Sequence, residues 1–210
     1  MSSGSIRRRP ADGVAVGGGI ALLAICAAVA RDGLVRRPER TVFETVNGLT
    51  DALEGPMHAA QFLGVLAVGP AVALVALGLR RHRLAVAAIL VTVIKLAAER
   101  GVWRLVERER PGVTEPNAIV RAGSPVSGVS FVSGHVVLVT GLAVVVTPYL
   151  HGRWRALPWA VVGLVAFARV YLGAHNPLDV IGGFGLGLAI GGAANLIVGV
   201  PDAGRPAQTG

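Results

Sequence analysis

Lysine is nearly missing from this chain: of 20 basic side chains only Lys95 is one, and the rest are arginine. Cysteine is as scarce. Cys26 stands alone inside an apolar run, which excludes an internal disulfide and any zinc framework and leaves it the part of a small buried residue. Charged residues make up only 15% of the chain and aromatics 5%. The net charge of +8 and pI near 11.3 suggest a nucleic-acid binder, but no dense basic segment or RNA-binding signature accompanies them, so no nucleic-acid partner is expected.

What is present is apolar. Hydrophobic residues reach 53% and mean hydropathy is +0.63, values that turn a 210-residue chain away from soluble domains and toward a membrane class. Ala, Val, Leu, Ile and 29 glycines supply this character, a composition suited to helices packed closely through small residues in lipid. The arginines fall between the apolar runs, where they face anionic lipid or a phosphate ligand. Arg7-Arg8-Arg9 and the run from Val14 to Ala30 imitate a signal peptide, with Ala28-Val29-Ala30 as a cleavage-like end. Because more spans follow, the run reads as a first membrane helix.

The predicted fold is all-α and polytopic, with about six transmembrane helices: Gly13 to Ala30, Pro56 to Leu79, Leu84 to Val106, Gly134 to Leu150, Leu157 to Leu172 and Leu178 to Val200. One membrane domain over 13–200 is framed by a cytoplasmic N-terminal tail, 1–12, and a disordered C-terminal tail, 201–210. Between the first two spans a short interfacial helix is expected near Val42 to Leu53, and the Pro-, Gly- and Ser-bearing stretch from Glu107 to Val132 reads as a loop. Basic residues divide equally between the two sides. The hairpins assigned to the inside carry arginines without acids, which places the N-terminus in the cytoplasm of a cell-membrane protein. Gly183, Gly187 and Gly191 recur every four residues in the last span, a face open to close approach by a neighbouring helix or by a second copy of the chain. Trp103, Trp154 and Trp159 read as interface anchors.

Three polar clusters sit at span ends, all on one side if the spans alternate. Arg104 to Pro111 ends the third span, Phe131-Val132-Ser133-Gly134-His135 opens the fourth, and Arg169 to Asp179 joins the fifth to the sixth. Each suits a phosphate site. Ser133 stands at an N-cap, Gly134 lets a ligand approach the backbone, and the free N–H groups of a helix start favour an anion. Asn176 and Pro177 open the last span and put Asp179 in its first turn, within reach of His175. A carboxylate there fixes the imidazole tautomer, leaving the other nitrogen free to attack phosphorus. His135 is placed to protonate the leaving oxygen, while Arg110 and Arg169 supply positive charge to the phosphoryl oxygens. Two histidines in these roles predict a bell-shaped pH profile near neutrality, on the extracytoplasmic side.

These residues resemble the type 2 phosphatidic acid phosphatase superfamily. Its signature runs Lys-x6-Arg-Pro, then Pro-Ser-Gly-His, then Ser-Arg-x5-His-x3-Asp, and the matches are Arg110-Pro111, Ser133-Gly134-His135, and Arg169 with His175 and Asp179. The resemblance implies a membrane lipid phosphatase with no cofactor and no metal. It would act on polyprenyl pyrophosphate, phosphatidic acid or phosphatidylglycerol phosphate through a phosphohistidine, with the bilayer and its lipid phosphates as partners.

Three positions depart from the signature: Trp103 stands in place of Lys, Val132 of Pro and Ala168 of Ser. The lost lysine removes a phosphate-binding cation, for which Arg100, one turn below, or Arg104, beside it, is the expected substitute. Lys95 is read as paired with Glu99 one turn on. Glu107, Arg108 and Glu109 read as a solvated loop edge, and His58, His82 and His151 as structural. The same site serves a lipid phosphotransferase, and a non-catalytic lipid-phosphate binder or transporter is the reading from another class. A metal held by His135, His175 and Asp179 is disfavoured, since the neighbouring arginines repel a cation.

Overall fold

A computed structural model describes residues 6–201, so the expected tail over 202–210 lies outside the described residues. The described residues are all-α apart from one short strand pair and an isolated bridge. The elements in order are β1 (Ile6–Arg7), α1 (Pro10–Ala30), α2 (Arg37–Asn47), α3 (Glu54–Gln61), α4 (Val68–Gly78), α5 (His82–Trp103), α6 (Pro111–Thr114), α7 (Gly134–Val146), α8 (Leu157–Tyr171), α9 (Pro177–Val198) and β2 (Val200–Pro201). Proline opens α1, α6 and α9 at a position where its missing N–H costs no helical bond. Among the described residues, only α1 and α9 are each long and apolar enough to cross a membrane. The 22-residue α5 is as long but carries Arg83, Lys95, Glu99 and Arg100.

The expected second span, Pro56 to Leu79, is broken. Residues Asp51–Gly64 and Val68–Gly78 form two arms bent by 63°, joined through a 3-10 turn at Phe62–Gly64. The interfacial helix also lies earlier than expected, at Arg37–Asn47. There Glu39, Phe43 and Asn47 recur every four residues on its buried face, and Pro38 sets its first turn. The predicted segment around Asp51–Leu53 is a separate 3-10 turn capped by Thr50.

Helix α9 is the axis of the bundle, and glycines on two of its faces let α1 and α7 touch its backbone. A methyl group on Gly185 would lie 2.8 Å from Gly19 O, and one on Gly19 would lie 2.5 Å from Gly185 O. On the opposite face, methyls on Gly183, Gly187 and Gly191 would lie 2.8, 2.7 and 2.8 Å from the carbonyls of Ser133, Val137 and Gly141. The four-residue glycine face, read as open to a neighbouring helix or to a second copy, is filled by α7 of the same chain. At the end of α1 and α9 away from the polar loops, Arg9 forks onto Asp12 (2.8 and 3.0 Å) and Asn195 Nδ2 donates to Asp12 Oδ1 at 2.9 Å. This buried cluster fixes the register of the two helices. Cys26 is buried in the core, as expected.

Candidate active site

The C-terminal ends of α5 and α8 and the N-terminal ends of α7 and α9 converge at one end of the bundle. Backbone pairing draws them in. Ser133 N donates to Asp179 O at 2.9 Å, so the start of α7 is tied to the start of α9. Residues 107–110 run extended, with Glu109 bridged to Val129 and Ser130 N donating to Arg108 O at 2.7 Å. Side chains alternate along such a segment. Glu107 and Glu109 are consequently exposed, while Arg108 is buried and Arg110 half-buried.

Asp179 is fully buried, and each carboxylate oxygen has its own partners. Oδ2 accepts from Asn176 N at 2.8 Å and from the Ser130 hydroxyl, and lies 3.7 Å from His175 Nδ1. That last distance exceeds a hydrogen bond. Ser130 Oγ, 3.4 Å from the same ring nitrogen, bridges the two groups. Oδ1 accepts from Arg108 Nη1 at 3.0 Å. Arg108 in turn forks onto Glu39 of α2, at 2.9 and 2.6 Å, and Glu39 Oε1 also takes Leu178 N at 2.9 Å. Arg108 is thus no solvated loop edge: it is 1% exposed.

Around this network stand the expected phosphate ligands. Arg110 Nη1 donates to Ala174 O at 2.8 Å, which anchors one side of its guanidinium. Arg169 bonds Gln61 on the bent arm α3, and its buried Nε has no partner. Its carbonyl takes the N–H groups of Ala174 and His175, at 3.1 and 3.2 Å, and so sets the turn that presents His175. The Ser133 hydroxyl is buried and also unpartnered. His135 packs on the bend of the α3–α4 arm, where a methyl on Gly64 would lie 2.8 Å from its Cβ. His175 and His135 lie within electrostatic range of each other and of Arg169 and Arg110. Burial, reinforced by Arg169 and Arg110 and opposed by Asp179, lowers the His175 pKa to about 4. Burial likewise lowers that of Arg110.

The structure does not bring Arg100 or Arg104 into this cluster. Both are exposed. The cation that reaches the start of α7 is Lys95. It pairs with Glu99 at 2.6 Å as expected, and the pair lies against Gly134, where an added methyl would overlap the Glu99 carboxylate first and lie 2.9 Å from Lys95 Nζ. Lys95 and Glu99 share one face of α5, and Trp103 continues that stripe one turn on. Sequence reasoning also missed Glu39, Gln61 and Ser130. His58 has Gln61 Nε2 at 3.0 Å from its Nδ1, one residue removed from Arg169. His151 is exposed, and His82 lines an apolar groove of about 540 Å³ between α4 and α5. That groove lies away from the polar cluster.

A sequence profile describing the PAP2 superfamily matches residues 82–200, more than half of the chain. The chain belongs to the PAP2 superfamily. The matched stretch holds all three signature clusters and Lys95. Over 98 residues the chain is 37% identical to the decaprenylphosphoryl-5-phosphoribose phosphatase of two strains of Mycobacterium tuberculosis, an alignment covering 46% of this chain. The chain spans about half the length of these curated relatives, 51%. Two solved structures share the fold. The transmembrane PAP2-type phosphatidylglycerolphosphate phosphatase of Bacillus subtilis superposes with TM-score 0.68 at 20% identity, covering 87% of this chain and 94% of its own. Aquifex aeolicus LpxE superposes with TM-score 0.63 at 21% identity, covering 73% and 92%. The all-α PAP2 membrane fold is thereby established, with its signature residues at one end of the bundle.

Proposed function

We propose that this PAP2 protein hydrolyses a lipid phosphate or pyrophosphate at the outer face of the cell membrane, its chain crossing six times. A polyprenyl-linked phosphate is the first substrate to try, because the curated relatives act on a decaprenyl lipid. The observation that carries the reading is the pair of buried, unpartnered polar atoms, Ser133 Oγ and Arg169 Nε, beside two histidines and two arginines. Buried polar groups without partners cost stability unless a ligand completes them. A phosphoryl group bound by Arg110, Arg169, Ser133 and the backbone at Gly134 would do so.

In the proposed reaction His175 Nε2 attacks phosphorus as the bond to the lipid oxygen breaks, and His135 gives its proton to that oxygen. Water then attacks the phosphohistidine, His135 takes the water proton, and phosphate leaves with His175 restored. Asp179 and Ser130 hold His175 Nδ1 as the donor, so the free nitrogen faces the substrate. Lys95, rather than Arg100 or Arg104, is proposed as the cation replacing the lysine absent at Trp103. Its Nζ reaches Gly134 beside its partner Glu99, whose carboxylate lies nearer still, whereas both arginines turn to the surface.

Purified protein offered decaprenyl phosphate, farnesyl pyrophosphate, phosphatidic acid and phosphatidylglycerol phosphate in mixed micelles, with and without excess chelator, tests the proposal. Phosphate release from at least one substrate in chelator is expected. Activity lost in chelator and restored by a divalent metal would overturn the metal-independent mechanism. No release from any substrate, with all of them still bound, would favour a lipid-phosphate binder.

A further inference from the structure

We infer that Arg108 and Glu39 are positioning residues that set the charge seen by His175, acting through Asp179. The inference rests on the reading of His175 as nucleophile. Arg108 occupies an unspecified position within the first cluster and Glu39 lies outside all three, and both are buried behind Asp179.

The geometry is a buried chain of alternating charge, Glu39 to Arg108 to Asp179 to His175. Arg108 divides one guanidinium between two carboxylates: it forks onto Glu39 and also donates to Asp179 Oδ1, with a long contact from Nη2 to Leu34 O. Its side chain and that of Asp179 are wholly buried, and that of Glu39 nearly so. Charges out of water interact strongly, and a cation shared between two anions neutralises each only in part. Glu39 therefore governs how much of the Arg108 charge remains for Asp179. Asp179 in turn governs how readily His175 takes a proton.

Glu39 serves a second purpose, because it accepts Leu178 N in the first turn of α9. One carboxylate from α2 thus holds both the arginine and the backbone turn that carries Asp179. If neutralising charge were the only requirement, the Asp179 pair with Arg108 would suffice. A second acid on the same guanidinium leaves Asp179 partly uncompensated, which keeps it an effective partner for the imidazole.

The other charged and titratable groups facing His175 are Arg169 from α8, Arg110 from the segment before α6 and His135 from α7, with Lys95 and Glu99 of α5 beside Gly134. None of these changes in the variants that test the idea. Arg108→Gln removes the cation, so the coupled Asp179 and His175 pair should take up its proton at higher pH, by about one unit or more. Glu39→Gln hands the whole Arg108 charge to Asp179, so uptake should move the opposite way, to lower pH. A merely structural salt bridge would instead be weakened by either change in the same sense.

Two readouts separate this inference from the proposed activity. The first is the pH titration of the His175 ring nitrogens in 15N-histidine-labelled full-length protein, assigned with His175→Gln, and it needs no turnover. The second is the acid limb of kcat/KM on decaprenyl phosphate, whose midpoint should move to higher pH in Arg108→Gln and to lower pH in Glu39→Gln, by about one unit or more. Arg108→Lys should reverse part of the first shift, and Glu39→Gln with Arg108→Gln, which retains the net charge, should titrate near the wild type. Should Arg108→Gln fail to fold, Glu39→Gln and Arg108→Lys still give the direction. Shifts of the same sign in Arg108→Gln and Glu39→Gln, or none in folded variants, would overturn the inference. Absence of turnover in the wild type would instead defeat the proposed activity.

Discussion

At the scale of single residues, the proposed chemistry turns on a histidine kept neutral. His175 titrates near pH 4 because burial disfavours its charged form. The neutral ring is therefore available through the whole neutral range, and the acid side of the rate profile should fall well below the near-neutral bell that two unperturbed histidines predict. The same shift bears on stability. An unfolded histidine takes its proton below about 6.5, the folded one only near 4, so the unfolded state binds more protons between these values. Stability should decline as pH drops through that window and then level off. Melting curves of wild type and His175→Gln from about pH 3.5 to 8 check this, since the variant should lose that part of the slope. His175→Ala should abolish turnover with the melting temperature largely kept, while His135→Ala should slow alkyl phosphates far more than aryl phosphates with good leaving groups. Retained multiple turnover in the first variant, or equal losses on both substrates in the second, would reassign those roles. Lys95→Ala should cost about 2 to 4 kcal/mol in kcat/KM, the loss expected for one preorganised donor. Arg100→Ala and Arg104→Ala should each stay within about tenfold of wild type, roughly 1.4 kcal/mol.

At the scale of elements, the sequence was legible where one local rule applied. Apolar runs located α1, α8 and α9, Pro177 marked the opening of α9, and Ser133 and Asn176 marked the helix starts that carry the signature clusters. The bend at Phe62–Gly64 was not legible, because Phe62, Leu63 and Gly64 continue the apolar run and only the packing of His135 on Gly64 shows why the chain turns there. Arg108 was misread for a similar reason. A run of Glu107, Arg108 and Glu109 looks solvated until the bridge to Val129 makes it extended and sorts its side chains by alternation. Glu39 lies 69 residues from Arg108, and no spacing rule joins them. The glycine face of α9 was correctly seen as a close-approach surface, but a single sequence cannot say which helix uses it. Its partner, α7, yields a prediction: Gly187→Val should destabilise by about 1 to 3 kcal/mol or more, since the new side chain meets a backbone carbonyl rather than a flexible group. Gly163→Ala on α8, with open space around it, should change the melting temperature little. Equal behaviour of the two variants in detergent would mean that α7 and α9 are not packed as described.

At the scale of the whole molecule, the bundle holds its two ends by different means. The site end is woven together by charged side chains from α2, α8, α9 and the segment before α6, while the other end is clamped by Asp12, Asn195 and Arg9 and by the pairing of β1 with β2. That small strand pair, with Ile6 opposite Pro201 and Arg7 opposite Val200, carries a topological consequence. Two segments hydrogen-bonded to each other occupy the same side of any bilayer, so the path between them crosses it an even number of times. Two, four or six passages satisfy this parity, and three do not, which makes the bent α3–α4 arm and the charged α5 matters of arithmetic as well as of packing. Reporter fusions before β1 and after β2 should report one and the same compartment, and signals from opposite compartments would show that the strands do not pair in the membrane.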